Sequence, residues 1–174
     1  VCSSDLQTIN KPAGTVDGNR LLLAIAVDRD TAINITFGGT NITTLGWTRV
    51  QADKVINATG EAQTFMLFEK VASSEPASWS INTDTGGYFT ANMHAVTGNI
   101  DQVVYQAATV DFSAPTGTIA HAGITTTAAN QLLIHFPTAD YTLGSPSTAT
   151  TPSGWNLALT GTATNWTFLN SNTL

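Results

Sequence analysis

The sequence predicts an all-β protein built as an antiparallel two-sheet β-sandwich, and three observations point to this class. Apolar and polar residues alternate with a period of two in several segments. Turn-forming residues separate these segments at intervals of roughly a dozen residues, which fits antiparallel strands better than βαβ units. Apolar residues are not repeated convincingly at the spacing of three and four that an amphipathic helix requires.

The strands are predicted from the alternation, because a period of two places every second side chain on the same face of a strand. The alternating segments are residues 33–37, 78–82, 89–95 and 166–168. Residues 21–27 and 132–136 are apolar on both faces, which predicts central strands covered on two sides. Turn clusters separate the segments, at residues 17–19, 38–41, 57–60, 85–87, 98–99 and 152–154.

Residues 61–75 are the one stretch for which a helix is a serious alternative, because they contain neither Gly nor Pro before Pro76. The apolar centre of this stretch, residues 65–68 (FMLF), is contiguous instead of being spaced along one helical face. We therefore predict a strand here.

A similarity links the two halves of the chain. Residues 19–23 (NRLLL) precede Gly46-Trp47 by much the same distance as residues 130–134 (NQLLI) precede Gly154-Trp155. A duplicated half-sandwich would produce this pattern, with each Gly-Trp pair starting a return strand. Chance similarity between two hydrophobic strands is the alternative, and both explanations stay open at this point.

The two ends of the sequence are interpreted separately. Residues 1–6 (VCSSDL) match the translation of a widely used sequencing-adapter end, so we expect them to be an artefact that is foreign to the protein. The alternative is a natural N-terminus with this sequence. A single sandwich domain is expected over residues 7–174, which is an ordinary size for one domain. The last strand-like segment would form an open sheet edge, which proteins normally protect. We therefore expect that the sequence is truncated at one or both ends.

The composition excludes several classes of partner. Only 10% of the residues are charged, against a typical value of about 25%, and the net charge is −6. The six basic residues are scattered along the sequence, so they cannot neutralise a row of phosphates, and we expect no nucleic-acid partner. No apolar run approaches the roughly 18 residues of a membrane span, so we expect no membrane insertion. Cys2 lies in the adapter-like segment, which leaves no thiol for a disulfide or a zinc site.

The sequence offers no pattern typical of an active site, so we expect a protein that is not an enzyme, with no catalytic residues. The three histidines, His94, His121 and His135, form no HxH or HExxH pair. His94 is predicted on the polar face of a strand, together with Thr90 and Asn92. The only glutamates are Glu61, Glu69 and Glu75, and they do not form the closely spaced acidic run that would suggest a glycosidase.

Aromatic residues near turns are the candidate ligand-binding residues, because aromatic rings stack on the apolar faces of sugars. The candidates are Trp47 and Trp155, which each follow a turn glycine, together with Tyr141 and Tyr88 in or beside loops. Packing in the core is the favoured alternative for the two tryptophans. Trp79 and Trp166 are predicted to lie in the core because they alternate with polar residues.

One metal ion is considered, and no other cofactor is expected. Asp28 and Asp30 follow a predicted central strand, and calcium takes carboxylate oxygens from loops of this kind. The alternative is ordinary turn chemistry, in which Asp side chains accept hydrogen bonds from nearby backbone amides.

The order of several motifs resembles β-sandwich modules, jelly-roll or lectin-like, of phage tail and other virion proteins and of large secreted bacterial surface proteins. The motifs are residues 12–19 (PAGTVDGN), 21–24 (LLLA), 46–48 (GWT), 67–72 (LFEKVA), 75–80 (EPASWS), 95–98 (AVTG), 100–101 (ID) and 125–130 (TTTAAN). These are scaffold features, so the resemblance implies a fold and supplies no catalytic residue.

The resemblance implies a non-catalytic structural or adhesion module that is extracellular, on a cell surface or in a virion. Its expected partners are other modules of the same polypeptide or particle, with a cell-surface glycan as a candidate ligand. A carbohydrate-binding module of a secreted glycan-active enzyme is the alternative function. A glycan-active enzyme itself is a third, more distant one.

Overall fold

The computed structural model describes residues 6–27, 34–50, 54–58, 61–83, 89–97, 133–135, 156–160 and 166–170. Every regular element in these residues is a β-strand, and none of them forms a helix that could cross a membrane. The strands are β1 (Leu6–Asn10), β2 (Arg20–Val27), β3 (Ile35–Phe37), β4 (Thr40–Asn41), β5 (Thr48–Arg49), β6 (Lys54–Ala58), β7 (Glu61–Val71), β8 (Ser78–Thr83), β9 (Phe89–Val96), β10 (Leu133–His135), β11 (Asn156–Thr160) and β12 (Trp166–Asn170). The all-β prediction is confirmed.

The chain divides into two compact units, Val1–Gly117 and Thr118–Leu174. The single domain expected over residues 7–174 stays a prediction. Strands β1 to β9 belong to the first unit and strands β10 to β12 to the second.

The first unit contains two antiparallel sheets. One sheet has the strand order β1-β8-β3-β4, and the other has the order β5-β7-β2-β9 with β6 also paired to β7. In the second sheet β2 is central, because it pairs along its whole length with β7 on one side and with β9 on the other. The non-sequential orders show that the chain passes repeatedly between the two sheets.

A common core lies between these two sheets. The buried residues of the core are Ile9, Leu21, Leu23, Ile25, Val27, Ile35, Phe37, Ile42, Trp47, Met66, Phe68, Ala72, Trp79, Ile81 and Met93. Both sheets contribute: Ile81 comes from β8 in the first sheet, and Met66 comes from β7 in the second. Because each strand turns every second side chain toward this core, the period-two alternation is satisfied, and the β-sandwich prediction is confirmed.

Strand β2 is buried on both of its faces. Leu21 and Leu23 point into the core and are fully buried, while Leu22, at 5% exposure, and Ala24, at 4%, are buried on the opposite face. The central position predicted for residues 21–27 is therefore confirmed. In the second unit the described strand order is β10-β12-β11. The central position of residues 132–136 stays a prediction.

The stretch for which a helix was the alternative forms the longest described strand, β7, over Glu61–Val71. Thr64, Met66 and Phe68 are all buried at alternate positions, which fixes a period of two. The contiguous apolar residues of this strand are explained by its neighbour β2, because Leu67 lies beside Ala24 on the opposite face and is buried there.

Candidate functional site

The candidate site residues of the sequence fall into two groups. Trp47 lies in the part of the chain that the structure describes, and it can be assessed. The remaining candidates lie outside the described residues, and they are Trp155, Tyr141, Tyr88, Asp28 and Asp30. Their roles in ligand binding and in calcium binding stay predictions.

Trp47 is a core residue of the first unit. Its side chain is among the largest fully buried ones, with 2% of the residue exposed. The indole packs edge-on against Phe37, with 5.9 Å between the ring centroids, and edge-on against Trp79 at 6.4 Å. Protein covers the ring, so it offers no flat surface to a sugar, and this favours the packing interpretation of Trp47. Trp79, at 6% exposure, is in the core as predicted, whereas the side chain of Trp166 is outside the described set.

The turn before Trp47 depends on a glycine. Gly46 has a φ of +85°, in the left-handed region that L-residues avoid. The Gly46 amide donates to the Thr43 carbonyl and the Trp47 amide donates to the Ile42 carbonyl, both at 3.1 Å. This turn directs the indole inward immediately before β5 begins.

We predict that Gly46→Ala lowers the free energy of unfolding by about 1–2 kcal/mol, because a Cβ disfavours the left-handed conformation. A Cβ built at Gly46 would meet only Lys70 Cε, at 3.6 Å, so backbone strain and not a steric clash is the expected cause. Gly46→Asn is the matched control, since Asn tolerates this conformation better, and it is expected to cost less. Urea denaturation of the three proteins measures the difference, and an alanine variant as stable as the parent would contradict the expectation.

The acidic side chains of the described residues are all bonded within the fold. Glu69 on β7 forms an ion pair with Arg20 on β2. Its sequence neighbour Lys70 pairs elsewhere, because adjacent residues in a strand point to opposite faces. The carboxylate of Glu75 accepts a hydrogen bond from Lys70 Nζ at 2.7 Å, and its side chain is only 3% exposed.

Two connecting segments, residues 11–19 and 72–77, meet at one end of the sandwich; we call them the corner. Ser74 has a φ of 54°, and its amide donates to Asp17 Oδ1 at 2.7 Å. Lys11 Nζ donates to the backbone carbonyl of Glu75 at 3.2 Å. The Gly18 amide donates to the carbonyl of Ala72 at 2.9 Å. The hydrogen bonds of the corner thus join the connection between β1 and β2 to the connection between β7 and β8, which is a structural role.

The face of the second sheet that points away from the core is called the outer face here. Across it, Leu22 lies between Glu69 and His94, and Ala24 lies between Leu67 and Asn92. Leu22, Ala24 and Leu67 are buried on this face, whereas β9 contributes a half-buried polar row made of Thr90, Asn92 and His94. The predicted division of β9 into an apolar and a polar face is confirmed.

Burial of His94 lowers the pKa of its imidazole below the ordinary value of 6.5, because desolvation penalises the charged form. The protonated form is therefore less favourable in the folded state than in the unfolded state. This makes His94 a residue whose charge acts against folding at low pH.

We predict that His94 makes the protein less stable as the pH falls. The unfolded chain binds the proton more readily, so the contribution of His94 is fully present above its unfolded pKa of 6.5 and is lost as the pH decreases toward the lower folded pKa. Urea denaturation between about pH 8 and pH 5 measures this slope. His94→Gln is expected to flatten it, and an unchanged slope in that variant would contradict the assignment.

Metal binding finds no support among the described side chains, where no group of three or more His, Cys, Asp or Glu could hold an ion. The calcium candidates Asp28 and Asp30 lie outside that part of the chain.

Comparisons with known proteins give no family for this chain. No protein-family model matches it, and no match was found among curated proteins or solved structures. Its function is therefore argued from its own residues.

Proposed function

We propose that this chain is a non-catalytic structural or adhesion module of an extracellular or virion protein. The observation that carries the proposal is the use of its acidic groups. Asp17, Glu69 and Glu75 are the acidic residues whose side chains are described, and each is bonded to a group of the fold itself. A glycan-cleaving enzyme needs carboxylates that face its substrate across a cleft, and these three are committed to structure.

The packing of the aromatic residues supports the same proposal. Phe37, Trp47 and Trp79 form one buried cluster, with centroid separations of 5.8 to 6.4 Å. Aromatic side chains that hold two sheets together contribute to stability and are not free to bind a ligand. Only 10% of the residues are charged, which fits a module that makes few electrostatic contacts with its partners.

A carbohydrate-binding module is the second candidate, and the polar row on β9 favours it. Thr90, Asn92 and His94 present a hydroxyl, an amide and an imidazole at alternate positions, which are separated by about 6.8 Å along a strand. Groups of these types bond to sugar hydroxyls. The partner would then be a glycan and not a neighbouring module.

Thermal denaturation of the full chain with a panel of soluble glycans separates the two candidates, because a ligand that binds only the folded form raises Tm. If the partners of the module are other modules of the same polypeptide or particle, Tm is expected to be unchanged with every glycan, and no reducing ends are released. A rise in Tm that Asn92→Ala abolishes would instead support the carbohydrate-binding module. Glycan cleavage that survives repurification would overturn both candidates.

A further inference from the structure

The two units share one arrangement of three strands. In the first unit β2 and β5 flank β7, and in the second β10 and β11 flank β12. All pairings are antiparallel. In both units, the strand of these three that comes first along the chain pairs with the one that comes third. The strand that comes second pairs with the other edge of the third strand. In the first unit other strands lie between these three along the chain, and β6 also pairs with β7, so the shared feature is the spatial order β2-β7-β5 and β10-β12-β11.

The strands also align across the sheet at equivalent positions. In the first unit the residue after Trp47, Thr48, pairs with Glu69, and Glu69 pairs with Leu22. In the second unit the residue after Trp155, Asn156, pairs with Leu169, and Leu169 pairs with Ile134. These residues, which are paired across three strands, form a row. The next row contains a phenylalanine of the third strand in both units, Phe68 in the first and Phe168 in the second.

We infer that each unit contains a copy of one three-strand module, which arose by duplication. The inference combines the sequence similarity of residues 19–23 and 130–134 with the shared strand order and the aligned rows. One difference is a displacement of the first strand by one residue, since the sequence match aligns Leu22 with Leu133, whereas the rows align Leu22 with Ile134.

The duplication assigns a role to Trp155 that the sequence left open. Trp155 is the counterpart of the core residue Trp47, so the inference predicts that Trp155 packs in the core of its own unit and is not a binding platform. This inference does not depend on the proposed function, because it concerns the origin of the fold and not its activity.

Hydrogen exchange of the four indole N–H groups, measured by NMR on the full unmodified chain, tests the inference. Single Trp→Phe variants assign the four resonances, and if one variant fails to fold its resonance is identified by elimination. We expect the Trp155 indole to exchange at least a hundred-fold more slowly than a free indole, as we expect for Trp47. Exchange of Trp155 at the rate of an unprotected indole would overturn the inference.

A second measurement distinguishes a duplicated module from a tryptophan that is buried by chance. Gly154 is the counterpart of Gly46, whose φ is +85°. Gly154→Ala is expected to speed the backbone hydrogen exchange of β11 and β12 relative to the parent, and Gly154→Asn is expected to restore most of the protection. Equal protection in the parent and the alanine variant would contradict a shared Gly-Trp turn.

Discussion

Trp47→Ala is expected to lower the free energy of unfolding by about 3–5 kcal/mol, the usual cost of removing a large aromatic side chain from a core. Trp47 is 2% exposed and contacts the rings of both Phe37 and Trp79. Its removal therefore opens a cavity and breaks two edge-on ring contacts at once. Urea denaturation monitored by circular dichroism measures the loss without relying on the fluorescence of the deleted residue.

Two control variants test whether the loss of stability comes from removing a buried aromatic ring. Trp47→Phe keeps an aromatic ring in the cavity and is expected to cost clearly less than the alanine variant. Leu6→Ala removes a hydrophobic side chain that is 61% exposed, and it is expected to change stability by less than about 0.5 kcal/mol. If Trp47→Ala lowered the free energy of unfolding as little as Leu6→Ala, the indole would not be a core side chain. Trp47 would then again be a candidate ligand-binding residue.

Leu22→Ala is expected to destabilise the protein by about 2–5 kcal/mol, the same range as Leu23→Ala. The two residues are adjacent on β2 and point to opposite faces of the sheet. Leu23 is fully buried in the core, and Leu22 is 5% exposed on the outer face. In a simple two-layer sandwich the outer face would meet water, and the Leu22 substitution would have a small effect.

Denaturation of the Leu22→Ala and Leu23→Ala variants under identical conditions measures the ratio of the two costs. A ratio near one supports a β2 strand that is buried on both sides. A Leu22→Ala variant within about 0.5 kcal/mol of the parent, beside a strongly destabilised Leu23→Ala variant, would show that the outer face is solvated.

Much of the fold could be predicted because the order of apolar and polar residues within each strand indicates which of its faces are buried. Residues 78–82 and 89–95 alternate strictly, and they form β8 and β9 with the predicted faces inward. Residues 21–27 are apolar throughout, and they form a strand that is buried on two sides. In each of these segments the side-chain pattern alone contains the information, since a period of two follows from strand geometry.

The strand order and the corner could not be predicted, because both depend on residues that are distant in the sequence. The hydrogen bond from the Ser74 amide to Asp17 joins residues 57 positions apart. The ion pair of Arg20 with Glu69 forms only because β2 and β7 are neighbours. No local pattern in the sequence specifies which strands pair.

The surroundings of the candidate site residue Trp47 could not be determined from the sequence, for a physical reason. A tryptophan after a turn glycine has the same local sequence whether its ring enters the core or stands at the rim. For Trp47 the outcome was decided by Phe37 and Trp79, which come from other strands. Half-burial of the polar row on β9 likewise depends on tertiary packing, although its alternation with apolar residues was visible in the sequence.

The central claim is that the two sheets of the first unit pack on one shared core. Nuclear Overhauser effects between the indoles of Trp47 and Trp79 test it most directly, because Trp79 lies on β8 of one sheet and Trp47 directly precedes β5 of the other. With 6.4 Å between the ring centroids, cross-peaks between protons of the two rings are expected in the folded protein. A folded protein without any such cross-peak would show that the sheets do not meet at this cluster.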